Sequence, residues 1–232
     1  TRYLGDIVKE RNIKIDFLFV DREIDIVIKT LAKAHEWKPD FLSVWNIEFD
    51  MDKIIAACDR AGIAIETLMS DPIVPPEYRF FKFKKGAASK KTASGVVHVF
   101  KPSQRWHNVY APSSFYWIDA MQAYRQIRQG QAEERSYSLD YLLDQNLGIR
   151  KLKFDEAKEY ENKPAQWHRF MQTNYPIEYI VYNMFDCISM ELLDEKTKDL
   201  ELTMPMLAGY CDFYNFNSQP KKSATDIYYY LL

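Results

Sequence analysis

Apolar residues along this chain alternate between two spacings, and the alternation predicts strands interleaved with helices. Ile13 to Val20 (IKIDFLFV) is rich in β-prone residues and reads as a strand. Asp21 then stands where a helix cap would, because Ile24, Val27, Ile28, Leu31 and Ala34 recur at the three- and four-residue spacing of one helical face. Pro39-Asp40 breaks that helix, and Phe41 to Trp45 (FLSVW) predicts a short buried strand running into Asn46-Ile-Glu-Phe-Asp50. A helix is expected from Met51 to Ala61, stopped by Gly62. Residues 71–117 break the alternation with Pro72, Pro75 and Pro76, a basic stretch from Lys82 to Lys91 and the β-prone run Val96 to Phe100, a pattern that predicts a hairpin excursion. Phe115 to Ile118 predicts a further strand, followed by Asp119 and a helix through Arg128. Ser138 to Gln145 is helical with Gly148 as its stop, and a last strong helix begins after Pro176 and runs to about Leu200. The class is α/β.

Composition narrows the function classes only a little. The 232 residues are 47% hydrophobic and 15% aromatic, which suits a packed domain with stacking surfaces and excludes a disordered chain. A formal net charge of −2 leaves room for a local basic groove without announcing one. Cys58, Cys187 and Cys211 are too far apart for a CxxC or CxxH site, so neither zinc nor a disulfide framework is expected. The cysteine spacing fits a reducing, cytoplasmic compartment; no apolar run approaches the roughly 20 residues of a membrane span and the N-terminus lacks a signal-peptide pattern, so a soluble protein is expected. Thr1 at the start and the apolar run from Ile227 to Leu232 at the end read as cut ends.

Several residues carry candidate chemistry. Tyr182 and Asp186 are four apart in the last helix, so phenol and carboxylate share one face and reach one small site, while Ile177, Ile180, Val181, Met184 and Ile188 are expected to pack the other faces. Asp50 follows a buried strand, where α/β folds tend to build sites, although an aspartate there also serves as a helix cap. Asp119, after FYWI, has the same two readings, with the cap favoured. Asp21-Arg-Glu23 is the one DxE that follows a predicted strand, and its Asp is better explained as a cap. His35, His98, His107 and His168 show no ligand spacing. Lys82, Lys84, Lys85, Lys90 and Lys91, beside Phe80, Phe81 and Phe83, could either track a phosphate backbone or form a solvated hairpin.

Taken together, Trp45-Asn-Ile-Glu-Phe-Asp50, Ser136-Tyr-Ser-Leu-Asp140 with Leu147-Gly148 and Lys151, and Tyr182-Asn-Met-Phe-Asp186 resemble, in order and spacing, the 3′→5′ exonuclease region of the family B DNA polymerases, in the style of the replicative enzymes of large tailed phages. The resemblance spans Pro39 to the C-terminus. It implies an RNase H-like, DEDD-type fold, a mixed sheet flanked by helices with a hairpin excursion. Residues 1–225 would form the exonuclease domain and residues 226–232 the start of the connection to the polymerase palm.

It further implies that Asp50 and Asp186 ligate two Mg²⁺ or Mn²⁺ ions, that Tyr182 orients the attacking water, and that Asn46 and Phe49 touch DNA. Such ions, about 3.5–4 Å apart, would stabilise both the attacking and the leaving oxygens of a phosphodiester. Implied partners are a single-stranded 3′ end or primer-template, the rest of the polymerase chain and, as a further candidate, a sliding clamp, with no membrane. The family's first motif, a DxE, has no match at the expected place; its carboxylates are expected upstream of Thr1, leaving half of a metal site and little or no activity in this chain. Two other readings stay open: the same fold as a catalytically incomplete module that binds single-stranded DNA or a replication partner, and an unrelated nuclease or structural α/β domain.

Overall fold

The computed structural model describes Leu4, residues 7–128 and residues 130–200. The segment expected to lead into a palm, 226–232, lies outside them. The described residues divide into two compact units, one lying within Thr1–Leu18 and Glu134–Lys198, the other within Phe19–Glu133 and Asp199–Leu232. The class is mixed α/β, but among the described residues the strands form three separate two-stranded ladders rather than one sheet.

In the second unit, α2 (Glu23–Trp37) precedes β1 (Phe41–Val44), α3 (Ile47–Ala61) and the short α4 (Ile65–Met69). The excursion follows: β2 (Lys82–Lys84), β3 (Ser89–Lys91), β4 (Val97–Val99) and β5 (Asn108–Tyr110). The chain then returns through β6 (Tyr116–Asp119) into α5 (Ala120–Ile127). β1 and β6 pair in parallel with Val44 opposite Asp119, so both strands end at the same edge. β2 pairs antiparallel with β5, and β3 with β4. Leu31, Ala34, Ile47, Met51, Met69 and Phe115 form the core against which Phe81 and Phe83 pack.

The first unit holds α1 (Ile7–Glu10), α6 (Leu139–Leu147), α7 (Pro164–Asn174) and α8 (Pro176–Thr197). Proline at the first position of α7 and of α8 removes a backbone donor that would have no helical partner there. Leu4, Phe185 and Ile188 form one core, flanked by Val181, Met184 and Leu192; Phe154, Ala157 and Met171 form another. Arg11 reaches Glu191 and Glu195 at 2.8 and 2.6 Å and ties the chain after α1 to α8.

Four sequence expectations need correction. Ile13 to Val20 forms no strand among the described residues, with Phe17, Leu18 and Phe19 exposed, because a β-prone run becomes a strand only when a partner strand lies beside it. Asp21 does not cap α2: Arg22 occupies that position and its guanidinium pairs with Asp25. α3 starts at Ile47 rather than Met51, which puts Asp50 in its first turn. Ile177 and Ile180 face outward, since the buried stripe of α8 runs through Val181, Phe185 and Ile188.

Gly86 lies so close to the backbone of Trp106 that a β-carbon there would fall 2.5 Å from its carbonyl oxygen. Gly86→Ala is therefore expected to force the segment after β2 outward and to cost about 1–3 kcal/mol, read as a lower urea midpoint. An unchanged midpoint would show that this approach is loose.

Candidate active site

In the first unit, three segments converge on Asp186. Ser138 caps α6, its hydroxyl accepting from the Tyr141 N–H, and Gly148 ends the helix with φ +67°, a left-handed conformation glycine adopts freely. Asp140, in the first turn of α6, accepts a hydrogen bond from the backbone N–H of Lys151 at 2.9 Å, and Arg150 pairs with Asp140 and Asp144. This tie fixes the chain after α6 so that the Lys151 ammonium lies 2.6 Å from Asp186 Oδ2 and 3.3 Å from the Tyr182 hydroxyl. The same ammonium stands 5.3 Å from the centre of the Tyr182 ring.

Electrostatics at this cluster follow from burial. Burial pushes the Asp186 carboxyl above its ordinary value, and Lys151's charge opposes that without cancelling it. Burial also works against the Lys151 ammonium, but the charge and hydrogen bond of Asp186 outweigh it and raise its value. Tyr182 is raised, mainly by burial, and stays a neutral phenol. Asp186 Oδ1 is buried with no hydrogen-bond partner among the described residues. An anionic oxygen left in that state is costly unless a donor or cation reaches it.

Asn46, Phe49 and Asp50 belong to the other unit. Asn46 adopts a left-handed conformation (φ 69°), tolerable for asparagine, and no side chain of its own helix caps α3. Asp119 does that work from β6. Its Oδ2 accepts from the Ile47 N–H at 2.9 Å, and its Oδ1 accepts from Gln122 N–H at 3.1 Å and from Asn46 N–H at 3.4 Å. One buried carboxylate thus serves the starts of both α3 and α5. Asp50 is not a cap; its carboxyl is half-buried, has no side-chain partner among the described residues, and is pushed up to about 6 by burial. Phe49 is exposed with Lys53 against its ring at 5.4 Å.

Other candidates separate clearly. Glu23 pairs with Arg60 at the far end of α3, ten residues and so roughly 15 Å of helix rise beyond Asp50. The basic run is divided: Lys85 turns back to Asp52 and Glu48, while Lys82, Lys84, Lys90 and Lys91 remain exposed. Phe81 and Phe83 pack against the core and are not free to stack on a base. His35 bonds Ser114 and the Leu68 carbonyl, and His107 faces Glu48 and the Gly86 N–H, so both are occupied within the fold.

No group of three His, Cys, Asp or Glu side chains suited to a metal ion occurs among the described residues. No described helix is long and apolar enough to cross a membrane. The residue that sequence reasoning left without a role is Lys151; its signal was its fixed distance after the α6 stop, but a lysine in a sequence reads as solvated until its burial is known. No protein-family model matches the chain, and no curated protein matches it.

Proposed function

We propose that this chain is the proofreading 3′→5′ exonuclease portion of a family B DNA-directed DNA polymerase, with an RNase H-like fold, acting on single-stranded 3′ ends. The observation that carries the reading is the cluster in the first unit: a carboxylate with one buried, unpartnered oxygen, a neutral phenol one helical turn away, and a lysine locked beside both.

The donor chemistry fits a hard divalent cation, because Asp186 Oδ1 is an anionic oxygen still lacking a partner. Asp186 and Asp50 would be the ligands, and a bound Mg²⁺ or Mn²⁺ would supply Lewis-acid activation of water and stabilise charge on the phosphodiester oxygens. Tyr182 would orient the attacking water through its hydroxyl, and Lys151 would hold Asp186 and Tyr182 in register. Two carboxylates hold two such ions weakly, so hydrolysis by these residues alone is expected to be slow. Asn46 and the exposed Phe49 ring would meet the single strand, with DNA and the remaining polymerase chain as partners.

One observation favours the second reading, a single-stranded-DNA module that holds without cutting: Lys151 already neutralises one oxygen of Asp186. Ca²⁺-supported binding of a labelled single-stranded oligonucleotide separates the two readings. Binding is expected to tighten about tenfold with Ca²⁺, and Asp186→Ala is expected to remove that gain. Equal affinity with and without the ion would contradict the metal-dependent reading and leave only the holding module.

A further inference from the structure

A cavity of about 530 Å³ is lined by Tyr182, by Trp167 and His168 of α7, and by Leu152, Phe154 and Ala157. Three lysine and three carboxylate side chains also line it, so the cavity carries no net charge and is not by itself a phosphate trap. Lys151 is committed to Asp186, and Lys153 is paired with Glu161.

What remains is an aromatic wall. The Trp167 ring lies 4.9 Å from the Tyr182 ring at 57°, and His168 stands edge-on to Trp167 at 5.1 Å. Trp167 is half-buried. His168 Nδ1 meets the Tyr179 hydroxyl at 3.1 Å, and Gln172 donates to that same oxygen at 3.2 Å. Burial lowers the His168 value and so favours the neutral ring. A flat, uncharged, polar-edged group matches such a wall.

We infer that this cavity seats a nucleobase, with Trp167 as its stacking surface, and that the base belongs to the nucleotide whose phosphate meets Asp186 and Tyr182. The inference rests on the exonuclease reading and deepens it, assigning the base to a residue outside the motifs that suggested it. Aromatic stacking on a base is sequence-tolerant, because every base has a π-face.

The test is anisotropy binding, in Ca²⁺, of a labelled oligonucleotide ending in thymidine and of the same oligonucleotide ending in an abasic residue. The wild-type chain is expected to bind the abasic end about tenfold more weakly. Trp167→Ala is expected to erase that difference and Trp167→Phe to keep most of it. Equal wild-type affinity for the two ends overturns the inference, and needs no variant to fold. So does undiminished discrimination by Trp167→Ala. In either case the exonuclease reading stands if Asp186→Ala still removes the Ca²⁺-dependent gain. Absence of any Ca²⁺-dependent binding overturns both.

Discussion

Asp119→Ala is expected to destabilise the protein by about 3–5 kcal/mol, a large share of the 5–15 kcal/mol that usually holds a domain folded. The carboxylate is 5% exposed and accepts from three backbone N–H groups, those of Asn46, Ile47 and Gln122. Alanine leaves the donors at the starts of α3 and α5 without an acceptor, at about 1–3 kcal/mol for each close one. The 3.4 Å contact to Asn46 adds little.

Asp119→Asn retains one oxygen and should lose less. Burial pushes the Asp119 carboxyl up to about 6, against the pull of its backbone donors. The folded protein thus keeps this proton to higher pH than the unfolded chain does, whose group titrates near 3.8. Its contribution to stability is full below about pH 4 and is lost as pH rises through about 6. Urea midpoints measured from pH 4 to 7 should show that decline, with a shallower one in Asp119→Asn. Asp119→Ala melting at the wild-type midpoint would show that α3 is held by something else.

Lys151→Ala is the second large effect, expected at about 2–3 kcal/mol. The Lys151 and Asp186 side chains are 25% and 23% exposed, so the loss falls somewhat below the roughly 3–5 kcal/mol of a fully buried pair broken from one side. Without the ammonium, Asp186 keeps two partly buried oxygens and no counter-charge, and its raised value rises further. The deficit should then grow with pH and shrink in acid, where the folded carboxyl is protonated. Lys151→Met combined with Asp186→Asn should recover part of the loss, because no charge is left stranded. A single variant as stable as wild type at neutral pH would mean that Asp186 finds another partner.

These two residues also mark where sequence reading stops. Helices announced by local pattern and caps are where expected: α2 by its apolar face, α6 by Ser138 and Gly148, α8 by Pro176. α3 begins four residues before its local pattern predicts, because its N-terminus is capped by Asp119, 72 positions away, and no local signal encodes that. Ile13 to Val20 has the composition of a strand, but pairing is non-local and no described strand lies beside it. α7 and the cavity it lines are not legible in the sequence, since the weak apolar pattern of α7 hides a half-buried tryptophan. Tyr182 and Asp186 were legible because four residues on one helix place them together without tertiary information. Lys151 was not, because its position depends on the backbone tie to Asp140.

Under the proposed exonuclease function, Asp50 and Asp186 are expected to act on the same divalent ions. Mn²⁺ affinity, followed by electron paramagnetic resonance in the wild-type chain, Asp50→Ala, Asp186→Ala and the double variant, tests it. Each single substitution is expected to weaken binding at least about tenfold, and the double to bind no more weakly than the worse single, because removing either ligand already breaks the shared site. Losses that simply multiply, or affinity that neither substitution changes, would show that the two carboxylates work apart and would contradict the exonuclease account.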